Sequence, residues 1–196
     1  MNVFLFGLLG FFLGSLPFSV WIGNLVLKKD IRQQGDHNPG ATNVLRAGGM
    51  GWYLLALMLD ITKGALPVGW VAHIAGISGW SLIPVALAPT LGHAFSPFLK
   101  FRGGKSVAAS LGIWIGLTIW KIPLVALTLL TIFSLLITPS GWAVLFTLAG
   151  MGAAIGFWLG DPVLLGVLLA NAALLVYTHR VDLRQKPRFK VASRES

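Results

Sequence analysis

The stretch VFLFGLLGFFLGSLPFSVWIGNLVL, Val3 to Leu27, runs for 25 residues without an Asp, Glu, Lys or Arg. A helix crossing the hydrocarbon core of a bilayer needs about 20 mostly apolar residues, each advancing it by about 1.5 Å. Only helices and closed barrels satisfy their backbone polar groups in lipid, and a long continuous run does not read as the alternating strands of a barrel. The stretch is too long for a signal-peptide core and lacks a basic leader and a small-residue cleavage site, so it reads as a retained spanning helix.

Six further runs of the same character follow: Gly51–Val71, Leu82–Leu99, Val107–Trp120, Ile122–Ile137, Trp142–Leu159 and Val163–Thr178. The expected fold is therefore an all-α polytopic membrane protein with seven transmembrane helices. The pair of runs flanking Lys121 reads alternatively as one bent or re-entrant segment. Composition agrees: 56% of the 196 side chains are hydrophobic and only 11% are charged, against about 25% charged in soluble domains. A soluble chain of this size buries only about 70% of the surface that its unfolded form exposes, too little to hide a mean hydropathy of +0.80. Disordered chains, nucleic-acid-binding modules and ordinary soluble enzymes are poor fits.

Basic residues near the ends of spans set orientation. Residues 28–49 hold Lys28, Lys29, Arg32 and Arg46, residues 100–105 hold Lys100, Arg102 and Lys105, and residues 179–196 hold six more. With the N-terminus outside, thirteen of the fifteen Lys and Arg residues face the cytoplasm, leaving Lys63 within a span and Lys121 outside. An N-terminus outside, a cytoplasmic C-terminus and an odd number of spans follow as expectations, in the cell (plasma or inner) membrane. Residues 1–182 read as a single transmembrane domain and 183–196 as a basic cytoplasmic tail, either a surface anchor for anionic headgroups or an unstructured end. Glycines four apart (Gly10/Gly14, Gly112/Gly116, Gly152/Gly156/Gly160) predict close helix packing through small faces. Asp60 and Lys63, three apart on one helix face, read as a self-neutralising brace inside the membrane.

Polar chemistry collects on the expected cytoplasmic side. The first loop carries Gly35-Asp36-His37-Asn38-Pro39-Gly40-Ala41-Thr42-Asn43-Val44-Leu45-Arg46. Asn-Pro-Gly is turn chemistry, and Gly40 permits a close backbone approach. Asn38, Thr42, Asn43 and Arg46 supply donors to a ligand, or else the segment is a solvated connector with a helix N-cap at Thr42 or Asn43. The second loop, Phe101-Arg102-Gly103-Gly104-Lys105-Ser106, opens onto an apolar run. Exposed backbone N–H groups at a helix start, together with the Lys105 charge, suit a phosphate, and a positive-inside anchor with a tight turn is the plainer alternative. A nucleotide P-loop needs a Gly five residues before Gly104; that position is Leu99. His179-Arg180-Val181-Asp182 ends the last run and, taken alone, reads as interfacial.

The absences narrow the chemistry. No Cys is present, so disulfides, thiolate ligands and a cysteine nucleophile are excluded. There is no Gly-x-Ser-x-Gly elbow, no His-Glu-x-x-His and no His followed five residues later by Asp; Glu195 is the only Glu. No metal and no cofactor is implied. What remains is a basic, glycine-rich phosphate site at the membrane surface.

In their order and spacing, these elements resemble the bacterial acyl-phosphate:glycerol-3-phosphate acyltransferases, the PlsY family. The likeness runs through Gly14-Ser15-Leu16-Pro17-Phe18, Asn38 to Arg46, Leu59-Asp60-Ile61-Thr62-Lys63-Gly64, Gly92-His93-Ala94-Phe95, Phe101 to Ala108 and His179-Arg180. It implies a seven-helix enzyme that moves a fatty acyl group from acyl phosphate to the 1-hydroxyl of sn-glycerol 3-phosphate, giving lysophosphatidic acid and phosphate. It implies that Arg46 and Lys105 hold substrate phosphates, that Gly103 and Gly104 supply the close-approach backbone, that Asn38, Thr42 and Asn43 orient substrate, and that His179 completes the site. The expected partners are these two substrates and the lipid bilayer, with no nucleic acid, and the chain is expected to act as a monomer.

The chain departs from the family pattern in three motifs. Asp36-His37 replaces Ser-Gly, Ser106 follows the Gly-Gly-Lys where Gly is usual, and Val181-Asp182 replaces Glu-Asn. Acids near a site for two anions weaken phosphate binding unless Arg or Lys neutralises them, and Asp36 or His37 is a candidate general base. The alternatives to an acyltransferase are a divergent paralogue that is inactive or uses another acceptor, and a transporter for small anions.

Overall fold

The computed structural model describes residues 2–190, and the end of the basic tail, 191–196, lies outside the described residues. The chain is almost wholly helical and divides into two compact units, residues 1–119 and 120–196. All seven apolar runs are helical. Four are long and apolar enough to cross a membrane: Val3–Val26, Met50–His73, Gly79–Leu99 and Ser140–Leu159. Val107–Thr118, Lys121–Leu136 and Pro162–Thr178 are shorter.

In the first unit, α1 (Val3–Ser15) is followed by a short α2 (Phe18–Trp21), a wide turn over Ile22–Val26, α3 (Ala41–Gly48), α4 (Met50–His73), α5 (Leu82–Ala94) and α6 (Val107–Thr118). The 25-residue opening run is thus not one unbroken helix. Pro17 has no N–H and its ring excludes the preceding residue from helical geometry, so α1 ends at Ser15 and Leu16 is extended, with ψ 119°. The Leu16 carbonyl left over by this break accepts a hydrogen bond from Lys63 Nζ at 2.9 Å.

Two helix pairs form the frame of this unit, and glycine sets their distance. A Cβ on Gly14 would overlap the Pro89 backbone of α5, and one on Gly92 would overlap the Phe11 carbonyl of α1. Gly112 and Gly64 bring α6 and α4 together in the same reciprocal way, against the Ile61 and Ala109 carbonyls. The small-residue stripes read from Gly10/Gly14 and Gly112/Gly116 therefore do pack helices. The third does so at Gly152 alone. Gly156 has open space around it, and Gly160 ends its helix in the left-handed conformation with φ 62°. The outward faces are apolar: Phe4 is 78% and Leu66 68% exposed. In water such a surface would be costly, whereas hydrocarbon accepts it.

Chain order places the charged loops of this unit at one end. The start of α4, the end of α5 and the start of α6 share it, while the connector 74–81 at the other end holds no Lys or Arg and carries exposed Trp80.

The second unit comprises α7 (Lys121–Leu136), α8 (Ser140–Ala154), α9 (Pro162–Thr178) and α10 (Arg180–Leu183). The Asp161 carboxylate caps α9 by accepting from Val163 N at 2.8 Å and Leu164 N at 3.2 Å. The part of the basic tail within the described residues is docked. Arg188–Phe189 pairs antiparallel with Ile137–Thr138, and Lys190 Nζ donates to the Ser134 carbonyl at 2.6 Å.

Candidate active site

The polar centre of the first unit is built from the loop before α3 and the turn before α6. Asn43, only 1% exposed, is its pivot. Its Nδ2 donates to the Asn38 carbonyl at 2.8 Å and to Asp36 Oδ1 at 3.1 Å, and its Oδ1 accepts from Arg46 Nη1 at 2.6 Å. Asn43 and Arg46 are three apart in α3, so one helical turn sets them side by side. The helix starts from Gly40 without a side-chain cap. The N-cap at Thr42 or Asn43 that the solvated-connector alternative called for is absent, because the Asn43 amide is turned to the loop instead; Thr42 is exposed.

Asn38 joins the two loops: its Oδ1 accepts from Lys105 N at 3.0 Å. Gly103 N donates to the Ala94 carbonyl at 3.0 Å and Gly104 N to the His93 carbonyl at 3.1 Å. These are carbonyls that α5 leaves unpaired at its C-terminal end. The backbone N–H groups expected to face an anion are thus engaged with α5 and Asn38, and the cationic side chains carry the charge of the site. The approach is too close for a side chain: a Cβ on Gly103 would overlap the His93 carbonyl, and one on Gly104 the His93 imidazole. Ser106, with φ 63°, turns its hydroxyl to the Thr90 carbonyl at 3.0 Å.

Asp36 gathers the two cations. Its Oδ2 lies 2.9 Å from Lys105 Nζ and its Oδ1 3.8 Å from Arg46 Nη1. Partial burial pushes this carboxyl up. The hydrogen bond and charge of Lys105, with the Asn38 N–H and the Asn43 amide, outweigh it and hold the carboxyl below the usual carboxylate range. A group so depressed stabilises the fold above its unfolded value, and that contribution is lost as pH falls through the folded value. It is a poor proton acceptor at neutral pH. His37, the other candidate base, is exposed and turns Nδ1 to the Arg32 carbonyl at 2.9 Å.

Behind this centre lies a buried polar group. Asp60 Oδ1 is 2.7 Å from Lys63 Nζ and 3.9 Å from His93 Nδ1, while Ser19 Oγ donates to Asp60 Oδ2 at 2.7 Å. The brace expected from Asp60 and Lys63 is present. His93, which the sequence marks only as part of the Gly92-His93-Ala94-Phe95 motif, packs on Gly104 in the folded structure.

His179 and Asp182 belong to the second unit. His179 is 2% exposed, with Nδ1 2.9 Å from the Leu175 carbonyl. Asp182 Oδ2 accepts from Ser140 Oγ at 2.9 Å and Gly141 N at 3.2 Å, which puts a carboxylate at the N-terminal end of α8.

Residues 4–186 match the family model described as glycerol-3-phosphate acyltransferase. A glycerol-3-phosphate acyltransferase of Desulfovibrio desulfuricans is 40% identical over 181 residues, covering 89% of this chain and 77% of that protein. One from Aromatoleum aromaticum is 38% identical over 191 residues, covering 94% and 93%. Among solved structures, the glycerol 3-phosphate form of PlsY, an integral membrane glycerol 3-phosphate acyltransferase, superposes with a TM-score of 0.83 at 28% identity, covering 93% of this chain and 90% of that one. Its lysophosphatidic acid form gives 0.82.

Proposed function

The chain belongs to the glycerol-3-phosphate acyltransferase family, and on that premise we propose that it takes its acyl group from an acyl phosphate and that Lys105 and Arg46 hold the phosphates of the reacting pair. It is an integral membrane acyltransferase that acylates glycerol 3-phosphate. In the proposed reaction the 1-hydroxyl oxygen attacks the acyl carbonyl carbon, the bond from that carbon to the phosphate oxygen breaks, and lysophosphatidic acid and inorganic phosphate leave. Acyl phosphate is already activated, so no side-chain nucleophile is required. The protein has to bring two anions together and stabilise the charge that grows on the oxyanion. The hydroxyl proton passes to a phosphate oxygen of the substrate pair, since Asp36 is held ionised and is a weak base. Asn38 and Asn43 position the two cationic arms, and the acyl chain stays in lipid. The enzyme works as a monomer.

One observation supports this reading above the others: two cations, Arg46 and Lys105, that lie 59 positions apart in the sequence converge on a single carboxylate. Purified protein given palmitoyl phosphate and glycerol 3-phosphate is expected to release inorganic phosphate well above a boiled control. No release across several acyl chain lengths removes the reading.

The same proposal includes seven spans, an outside N-terminus and a site open to the cytoplasm at the cell membrane. It is supported by the placing of the charged loops of the first unit at one end and by the basic residues of the C-terminal segment. The chain has no Cys, so single thiols report cleanly. In right-side-out vesicles, an impermeant thiol reagent is expected to label Ser78→Cys and to leave Gln33→Cys unlabelled until the membrane is opened. The reverse pattern inverts the topology.

A further inference from the structure

Asp36 stands where a phosphate held by the two cations would stand. A carboxylate and a phosphate offer the same kind of acceptor oxygen to ammonium, guanidinium and amide donors. Asp36 has one of each: Lys105 Nζ at 2.9 Å, Arg46 Nη1 at 3.8 Å and Asn43 Nδ2 at 3.1 Å. We infer that the Asp36 carboxylate is an internal anion that occupies the phosphate seat of the empty site, yields it when a phosphoryl group binds, and so sets the affinity of this chain for phosphorylated ligands. The identity of the seat rests on the acyltransferase reading; the competition itself is a property of the charges.

The geometry separates a fixed scaffold from a movable occupant. Asn43 is buried, and the backbone at Lys105 is tied through Asn38 and α5. The Asp36 side chain is 43% exposed and belongs to neither helix nor strand. The residue before it, Gly35, has φ 52°, and a Cβ there would overlap the Arg46 guanidinium. When the carboxylate turns out to solvent it gives up one bond to the buried Asn43 amide, which keeps its bond to the Asn38 carbonyl at 2.8 Å. With it seated, the pair of cations presents a single net positive charge to an incoming dianion; with it neutral or absent, two.

The consequence is an affinity held below what the same cations would otherwise give. A site whose competent form is only partly populated binds more weakly by that fraction, and a partly exposed ion pair together with removal of a like charge accounts for about tenfold. The full chain in detergent, as wild type, Asp36→Asn and Asp36→Ser, is compared for inhibition by inorganic phosphate, for the KM of glycerol 3-phosphate, and for direct calorimetric binding of inorganic phosphate. Both variants are expected to lower all three constants by about tenfold, with kcat changed much less. Asp30→Asn, which removes a carboxylate paired with Arg32 outside the site at 2.8 Å, is expected to leave them unchanged.

Unchanged or weaker phosphate binding by folded Asp36→Asn and Asp36→Ser overturns the inference and makes Asp36 a fixed brace for Lys105. A wild type without turnover sinks the acyltransferase reading instead. The calorimetric comparison then still decides whether Asp36 competes with phosphate.

Discussion

Replacing Lys105 by Ala is expected to slow acyl transfer to glycerol 3-phosphate by about 10²–10³-fold, the usual cost of one preorganised charge-stabilising donor. Lys105 is the less exposed of the two cations, at 22% of its side chain against 48% for Arg46, so its charge is screened less by water. Its backbone N–H is anchored to Asn38 Oδ1, which means that the truncated variant keeps its turn and loses only the ammonium. Asp36 would then keep Arg46 to itself and repel the incoming phosphates more strongly. Lys105→Arg is expected to recover part of the rate, because a planar fork restores the charge without the position. Steady-state kinetics on the three proteins check this. An Ala variant within threefold of wild type would remove Lys105 from the chemistry.

The second large effect concerns stability. Asp60→Ala is expected to destabilise the protein by about 3–5 kcal/mol, the range for a buried ion pair that loses one partner, or on the order of 10 °C in Tm for a chain of this size. Lys63 has only 3% of its side chain exposed and would be left beside the Leu16 carbonyl with no counter-ion. The double variant Asp60→Ala/Lys63→Met leaves no charge behind and is expected to regain much of the loss, whereas a simple sum of two damaged contacts would leave it worse than either single change. Thermal unfolding in detergent micelles separates these outcomes.

The apolar runs were legible because lipid imposes one requirement on every residue of a span, and length with hydropathy suffices to read it. The Asp60–Lys63 brace was legible for the same kind of reason, since it lies within a single helical turn. What the chain alone did not disclose depends on which distant segments meet. The acids noticed as departures were set against phosphate binding, but that Asp36 would be claimed by Lys105, Arg46 and Asn43 together required the loop to fold over a turn some 70 positions away. Between a ligand-donor loop and a connector capped at Thr42 or Asn43 the sequence left the choice open, and the cap fails because Asn43 bonds to the preceding loop rather than to its own helix start. The third glycine repeat packs at Gly152 alone, because a spacing of four does not say whether a neighbour is present, and around Gly156 there is none within van der Waals reach.

The two glycine amides spent on the end of α5 have a thermodynamic consequence. Because the turn before α6 is already stitched down by the His93 and Ala94 carbonyls, a ligand arriving there does not have to freeze a wandering loop, and the entropy of ordering that arm was settled when the chain folded. Whatever reorganisation accompanies occupancy is then confined to a few exposed side-chain torsions, a fast and local adjustment on an otherwise stiff anvil.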